Sequence, residues 1–265
     1  MPKQRLYGFI GPALLAAALV CTSPTNAQQQ AASRVAPKGE LRAAVIISNP
    51  VLVTRSPEGQ LSGVSVDLAN AFGAKLGVTV RVVPYENTVR YNQSIGKDEW
   101  DVSFAPRDLS RTGQLAFSDP FMEADNSYVG RPGTMLKAPD DVDRPGIKVA
   151  VAQGSAADSY LTRTLRHAQI VRLTGGLLTA REALSFGRAD VYADYTHIAY
   201  RLEAEVAGAV VLVGPFNLVR MTIGMPKSNA AALPFVNDFI HDAKRDGVIT
   251  EAIKRVGLRG ARPGR

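Results

Sequence analysis

From residue 41 onward the chain alternates two hydrophobic rhythms. Residues 41–47 are an almost unbroken apolar run rich in β-branched side chains, the pattern of a buried strand. Ser56, Pro57, Glu58 and Gly59 form a turn cluster. Val64, Leu68, Phe72 and Leu76 then recur every four residues, which lines them along one helix face, and Gly77 ends that helix. Residues 78–83 read as the next strand, 88–95 as a short amphipathic helix and 101–105 as a further strand. A Pro- and Asp-rich stretch, 138–145, interrupts the rhythm. It resumes with a strand at 147–152, a helix from Ala156, a strand at 170–173 and a helix at 178–186. A strand at 190–193, a helix at 197–205, strands at 210–213 and 218–225, and helices at 230–246 and 249–256 complete it. Strand–helix alternation at this spacing predicts an α/β protein with mostly parallel sheets. Two such runs parted by a loop predict two lobes. Ligands of open α/β sheets bind beyond the carboxyl ends of strands, so candidate chemistry is sought just after each strand.

The N-terminus changes the picture. Lys3 and Arg5 precede an apolar run from Leu6 to Val20, broken by Pro12 and followed by a polar stretch ending at Ala27. A basic start, a short apolar core and small residues at its end predict a secretory signal peptide over residues 1–27, cleaved near Ala27. The run is too short to span a bilayer comfortably. Cys21 is the only cysteine, and Val20 before it argues against a lipid-modified residue. The chain beyond residue 27 therefore has no thiol, which excludes disulfides and Cys-ligated metal there. Residues 28–37, rich in Gln and Ala, read as a flexible leader. The net charge is +7, two units of it from Lys3 and Arg5. The other basic residues are dispersed, and export argues against a nucleic-acid partner. Residues 258–265, with Arg259, Arg262 and Arg265, read as a frayed basic tail.

Enzyme signatures are scarce. There is no P-loop, no Gly-x-Ser-x-Gly, no Gly-x-Gly-x-x-Gly and no metal-binding motif, and His167, His197 and His241 are too far apart to share a metal. No cofactor, metal or catalytic residue is expected. One segment stands out. A strand at 101–105 runs into a polar turn carrying Arg111, and a second apolar run follows. The planar guanidinium fork of arginine suits a carboxylate, to which it donates two parallel hydrogen bonds.

The segment resembles the bacterial extracellular solute-binding proteins of family 3, which serve polar amino-acid importers. The matching residues are Asp101, Arg111, Phe117, Ser118, Pro120 and Phe121. Gly63, Asp67 and Leu68 are similar to the family's G-x-x-x-D-L. Val149, Val151, Gly154 and Ser155 are similar to its V-x-V-x-x-G-S/T, Asp190 and Asp194 to a later acidic pair, and Lys244, Asp246 and Gly247 to its K-x-D-G. The resemblance covers roughly residues 38–257, with the motifs in order.

The resemblance implies a two-lobed periplasmic-binding-protein-like (type II) fold with two hinge crossings, near 125–129 and 217–223. Lobe one would comprise 38–126 plus 221–257, and lobe two the inserted 127–220. It implies that Arg111 clamps a ligand carboxylate, that Asp194 pairs with an ammonium, and that the Gly154–Ser155 turn offers backbone N–H groups and a hydroxyl at a helix start. Asn49, Tyr85, Thr88, Ala105 and Asp108 complete the expected ligand-binding set. The family's usual aromatics near Asn49 and Leu52 and at Thr88 are missing, with Tyr85 a substitute, and Ala156 stands where a second hydroxyl is frequent. The ligand is thus an amino acid, an opine-like compound or another small carboxylate. The implied function is that of a periplasmic monomer that closes on its ligand and delivers it to the permease subunits of an ABC transporter. Two alternatives stay open: a receptor for a membrane sensor, and a periplasmic dehydratase on the same scaffold using Glu86, Asp108 or Asp194 as general acid/base.

Overall fold

The computed structural model describes residues 26–108 and 111–265. The signal-peptide reading of residues 1–25, Cys21 included, lies outside the described residues. The chain opens with α1 (Asn26–Val35) and β1 (Glu40–Ile46), followed by a small hairpin of β2 (Thr54–Arg55) and β3 (Leu61–Ser62). Then come α2 (Val64–Leu76), β4 (Thr79–Tyr85), α3 (Thr88–Ser94), β5 (Val102–Pro106) and the long β6 (Leu115–Gly130). The next stretch holds β7 (Lys148–Ala152), α4 (Ala156–Thr164), β8 (Gln169–Leu173), α5 (Gly176–Ser185), β9 (Val191–Tyr195) and α6 (Thr196–Glu205). The chain closes with β10 (Val210–Val211), β11 (Asn217–Pro226), α7 (Leu233–Arg245), α8 (Val248–Val256) and β12 (Ala261–Pro263).

One sheet runs through the molecule in the order β4-β1-β5-β11-β6-β9-β7-β8. Its two wings are parallel: β1 pairs with β4 and β5, and β7 pairs with β8 and β9. Between the wings, β11 is antiparallel to both β5 and β6, and β6 is antiparallel to β9. These alternations fix directions. β5 points toward the second wing and β9 points back toward the first, so their carboxyl ends face each other along the two strands that cross. Met221 pairs with Pro106 on one side and with Met122 on the other, while Asn126, further along β6, pairs with Tyr195. The four-residue step from Met122 to Asn126 separates the two strand ends by about 13 Å along the strand. The expected crossings near 125–129 and 217–223 fall on β6 and β11. The α/β reading holds, with helices packed on two parallel wings.

The helix periodicities land where the pattern put them. Leu68, Phe72 and Leu76 of α2 are buried, and Phe72 lies 4.7 Å from Phe239 of α7. Gly77 caps α2 in the left-handed conformation. The second wing has its own cluster of Val149, Val151, Leu161, Val191 and Ala193, with Tyr128 stacked on Phe216 at 4.2 Å. The helix expected at 230–246 starts later, because Pro234 belongs in a first turn; a 3₁₀ segment precedes it.

Two expectations are corrected. The leader at 28–37 is helical: α1 buries Ala31 and Val35 on one face against the first-wing core, as the Ala- and Gln-rich composition allows. The basic tail is not frayed either. Leu258 is buried, and β12 pairs with Met122–Ala124 of β6.

Asp101, the first residue of the sequence motif, has a structural task. Its carboxylate accepts the Arg42 backbone N–H at 2.8 Å and two guanidinium hydrogen bonds at 3.0 and 2.6 Å, and both residues are buried. The pair ties the start of β5 to β1. Replacing Asp101 by Ala leaves a buried guanidinium with only Asp98 as counter-ion. The expected loss is about 3–5 kcal/mol of stability, read as a lower midpoint in urea unfolding.

Candidate functional site

The facing strand ends gather most of the predicted residues. On the first wing, β5 delivers Ala105, which is buried and paired with Thr222, and the turn after it carries Asp108 and Arg111. Arg111 is buried, with 9 % of its surface exposed. Its guanidinium lies 5.1 Å from the centre of the Tyr91 ring, and its Nη2 stands 3.5 Å from the Asp108 carboxylate. The Nε atom has no hydrogen-bond partner among the described residues. Tyr91, buried on α3, is anchored by its hydroxyl to Ser103 at 2.8 Å, so the ring holds the guanidinium plane rigidly. A buried cation with one loose ion pair and a spare donor is set up to bind an anion.

On the second wing, β9 presents Asp194 next to its carboxyl end. The Tyr192 hydroxyl donates to Asp194 Oδ2 at 2.7 Å, and the Tyr195 N–H donates to Oδ1 at 2.7 Å. Burial pushes the Asp194 carboxyl above its ordinary pKa, against the lowering effect of these two bonds. Among the described residues no cationic side chain forms an ion pair with it. Asn49, in the turn after β1, is buried beside the Tyr195 phenol, and its Oδ1 has no partner among the described residues. The two wings thus meet one residue away from Asp194.

The remaining residues fall into place less neatly. Gly154 takes φ +73°, the left-handed region that favours glycine, and Ser155 caps α4 by accepting the Asp158 N–H at 3.1 Å. The turn is not free to bind an anion as expected, because the Asp158 carboxylate folds back to accept the Gly154 N–H at 2.9 Å. Arg172 neutralises that carboxylate at 3.0 Å. The first-turn N–H groups of Ala156 and Ala157 remain without intrahelical acceptors, as at any helix start. Tyr85 is tied away from the strand ends, its hydroxyl donating to Glu99 at 2.7 Å and its ring set edge-on to Tyr91. Thr88 is the first residue of α3, which Asn87 caps. Glu86 is exposed and paired with Arg55 at 2.9 Å.

Three tyrosines were missed by sequence reasoning: Tyr91 under Arg111, and Tyr192 and Tyr195 around Asp194. For Tyr192 a signal existed, since residues two apart on a strand share a face. His197, on the first turn of α6 beside Tyr195, is held by burial and by the Arg201 charge at a pKa of about 4. Among the described residues no cluster of His, Cys, Asp or Glu could hold a metal, and no helix is long and apolar enough to cross a membrane.

The model of the bacterial extracellular solute-binding proteins, family 3, matches residues 41–257. Cyclohexadienyl dehydratase from Pseudomonas aeruginosa is 24 % identical over 263 residues, covering 96 % of this chain and 95 % of that protein. Among solved structures, holo ArgBP from T. maritima superimposes with a TM-score of 0.66 at 24 % identity, covering 83 % of this chain and 98 % of that one. The ancestral amino acid-binding protein AncCDT-1, a precursor of cyclohexadienyl dehydratase, gives 0.69 at 23 % identity, with 84 % and 97 % coverage. These likenesses bear out the periplasmic-binding-protein-like fold.

The His197 environment predicts a pH response. A folded-state pKa lowered to about 4 means that unfolded His197 takes up a proton below its ordinary pKa of 6.5 while folded His197 refuses it. Stability from this residue is therefore present above pH 6.5 and is lost as pH falls toward 4. Thermal unfolding between pH 7 and pH 4 should show a shallower decline in His197→Gln than in wild type.

Proposed function

The chain belongs to the bacterial extracellular solute-binding proteins, family 3, and from that premise we propose that it captures an amino acid or similar small carboxylate for an ABC importer. It is a secreted monomer, its signal peptide removed near Ala27, that hands its ligand to the permease subunits. The observation that carries the reading is Arg111, a buried guanidinium over the Tyr91 ring which, among the described residues, has an unpartnered Nε and a single loose counter-ion. A ligand carboxylate would satisfy it through two charge-assisted hydrogen bonds. Asp194 faces it from the end of β9 and has room for a cation, since Tyr192 and Tyr195 supply only neutral donors. The ammonium of a zwitterion spanning both groups would counter the effect of burial that raises the Asp194 pKa. Lobe one, 38–126 plus 221–257, and lobe two, 127–220, close around it by bending where β6 and β11 cross. The ligand shifts this equilibrium by its differential affinity for the closed form.

The amino-acid-binding proteins among the structural neighbours support an amino acid as the first substrate class to test. Catalysis forms no part of this cycle. A second reading has one observation in its favour. Asp194 is a half-buried carboxyl whose pKa is raised, the direction a general acid requires, and the chain is similar to a cyclohexadienyl dehydratase. Of the other carboxylates considered, Glu86 is exposed and paired with Arg55, and Asp108 faces Arg111. Loss of prephenate or arogenate on incubation with the protein would replace transport by catalysis.

A thermal-shift screen against free amino acids, opines and small organic acids separates the two. A ligand at 100 times its Kd adds about 2.7 kcal/mol, a rise of roughly 5–11 °C for a chain of this size. Arg111→Ala should abolish the rise, and Asp194→Asn should weaken amine-bearing ligands more than amine-free carboxylates. A flat screen with protein stripped of bound ligand by mild unfolding overturns the capture of these solutes.

A further inference from the structure

The C-terminal segment does more than close the first lobe. It leaves α8, runs along β6 opposite Met122–Ala124 and stops beyond Gly264, whose N–H donates to the Phe121 carbonyl at 2.9 Å. β12 and β9 lie end to end on the same edge of β6, with β12 opposite 122–124 and β9 opposite 126–130. The stretch from Met122 to Asn126, which separates the two facing strand ends, is therefore the stretch that the tail covers.

From there the tail reaches across. Arg259 lays its guanidinium over the Tyr200 ring of α6 at 4.1 Å. Gly260, at φ +75°, packs so tightly on Thr196 of α6 that an added Cβ would come within 2.7 Å of the threonine Cβ, and its carbonyl accepts the Asp125 N–H at 2.9 Å. Arg262 binds Asp125 through two contacts of 3.1 Å and stands 3.3 Å from the buried Glu123, which Arg220 of β11 approaches at 3.5 Å. α8 packs on α2 and α7 of the first lobe, whereas α6 belongs to the second and begins directly after Tyr195. Any rotation of the lobes about 122–126 must strain or break the Arg259–Tyr200 and Gly260–Thr196 contacts, because they join parts on opposite sides of that stretch.

We infer that residues 258–264 are a third inter-lobe strap, which sets the resting balance between lobe arrangements through Arg259 on Tyr200 and Gly260 on Thr196. It rests on the hinge-closing part of the proposed function and is independent of what the ligand is. Because α6 follows Asp194 and Tyr195 directly, the strap also links the tail to the ligand-facing end of β9.

The test uses ligand-free protein, so failure of the ligand assignment leaves it intact. Spin labels at Glu58→Cys and Arg181→Cys, both exposed, report the inter-lobe distance in a Cys21→Ser background by double electron–electron resonance. Arg259→Ala should lower the population of the structure's arrangement about two- to five-fold relative to the alternative, the size of an exposed cation–π contact. Tyr200→Leu, which leaves the tail unaltered, should do the same, and the double variant should do little more. The inference is overturned if both single variants keep the wild-type distance distribution, including the case in which they lower only the unfolding temperature.

Discussion

Residues of β6 hydrogen-bond to β11 from Leu115 to Asn126 on one edge and to β9 from Asn126 to Gly130 on the other. Neither half of the sheet can be completed without this strand and its antiparallel partner. Because both strands run through the junction, the two wings share a backbone, and one apolar cluster continues from the first wing into the second, which adds a smaller cluster of its own. Antiparallel pairing through the middle also reverses the second wing, and that reversal turns the carboxyl ends of β5 and β9 toward one another. The site is thus a consequence of topology. Arg111 lies in the turn after β5 and Asp194 one residue before the end of β9, so the two flank the junction between the facing strand ends.

The chemistry of the gap comes from asymmetry in how the two ends are solvated. Arg111 is buried against an aromatic face that Ser103 locks in place, so its charge is oriented but only loosely neutralised. Asp194 has the opposite character. Two good hydrogen bonds hold its oxygens, yet burial still raises its pKa, so a cation beside it would favour the charged form. A carboxylate at one end and an ammonium at the other relieve both conditions together.

Much of this was legible in the chain. The four-residue spacing through Leu68, Phe72 and Leu76, the apolar run of β1 and the ordered motifs around Arg111 led to the wings and to the first half of the site. What was not legible depended on neighbours distant in sequence. Nothing near Arg111 announces Tyr91 as its platform. Asp158 does not advertise that it will turn back onto Gly154 and occupy the helix start expected to bind an anion. Residues 258–265 look like a solvated tail because Gly, Pro and Arg dominate them. Their order comes instead from the free edge of β6 and from buried Glu123, features that no local pattern reveals. The leader misled for a similar reason, since α1 is stabilised by the core against which Ala31 and Val35 pack.

The central claim is that the two strand ends close on a solute held by Arg111 and Asp194. Small-angle X-ray scattering tests it most directly, with the protein measured free and at saturation with the strongest stabiliser among the free amino acids and carboxylates. Closure predicts a smaller radius of gyration in the saturated protein, and an Arg111→Ala variant that stays at the free value under the same conditions. A ligand that binds tightly, needs Arg111 and leaves the scattering curve unchanged would contradict hinge closure as the working motion of this protein.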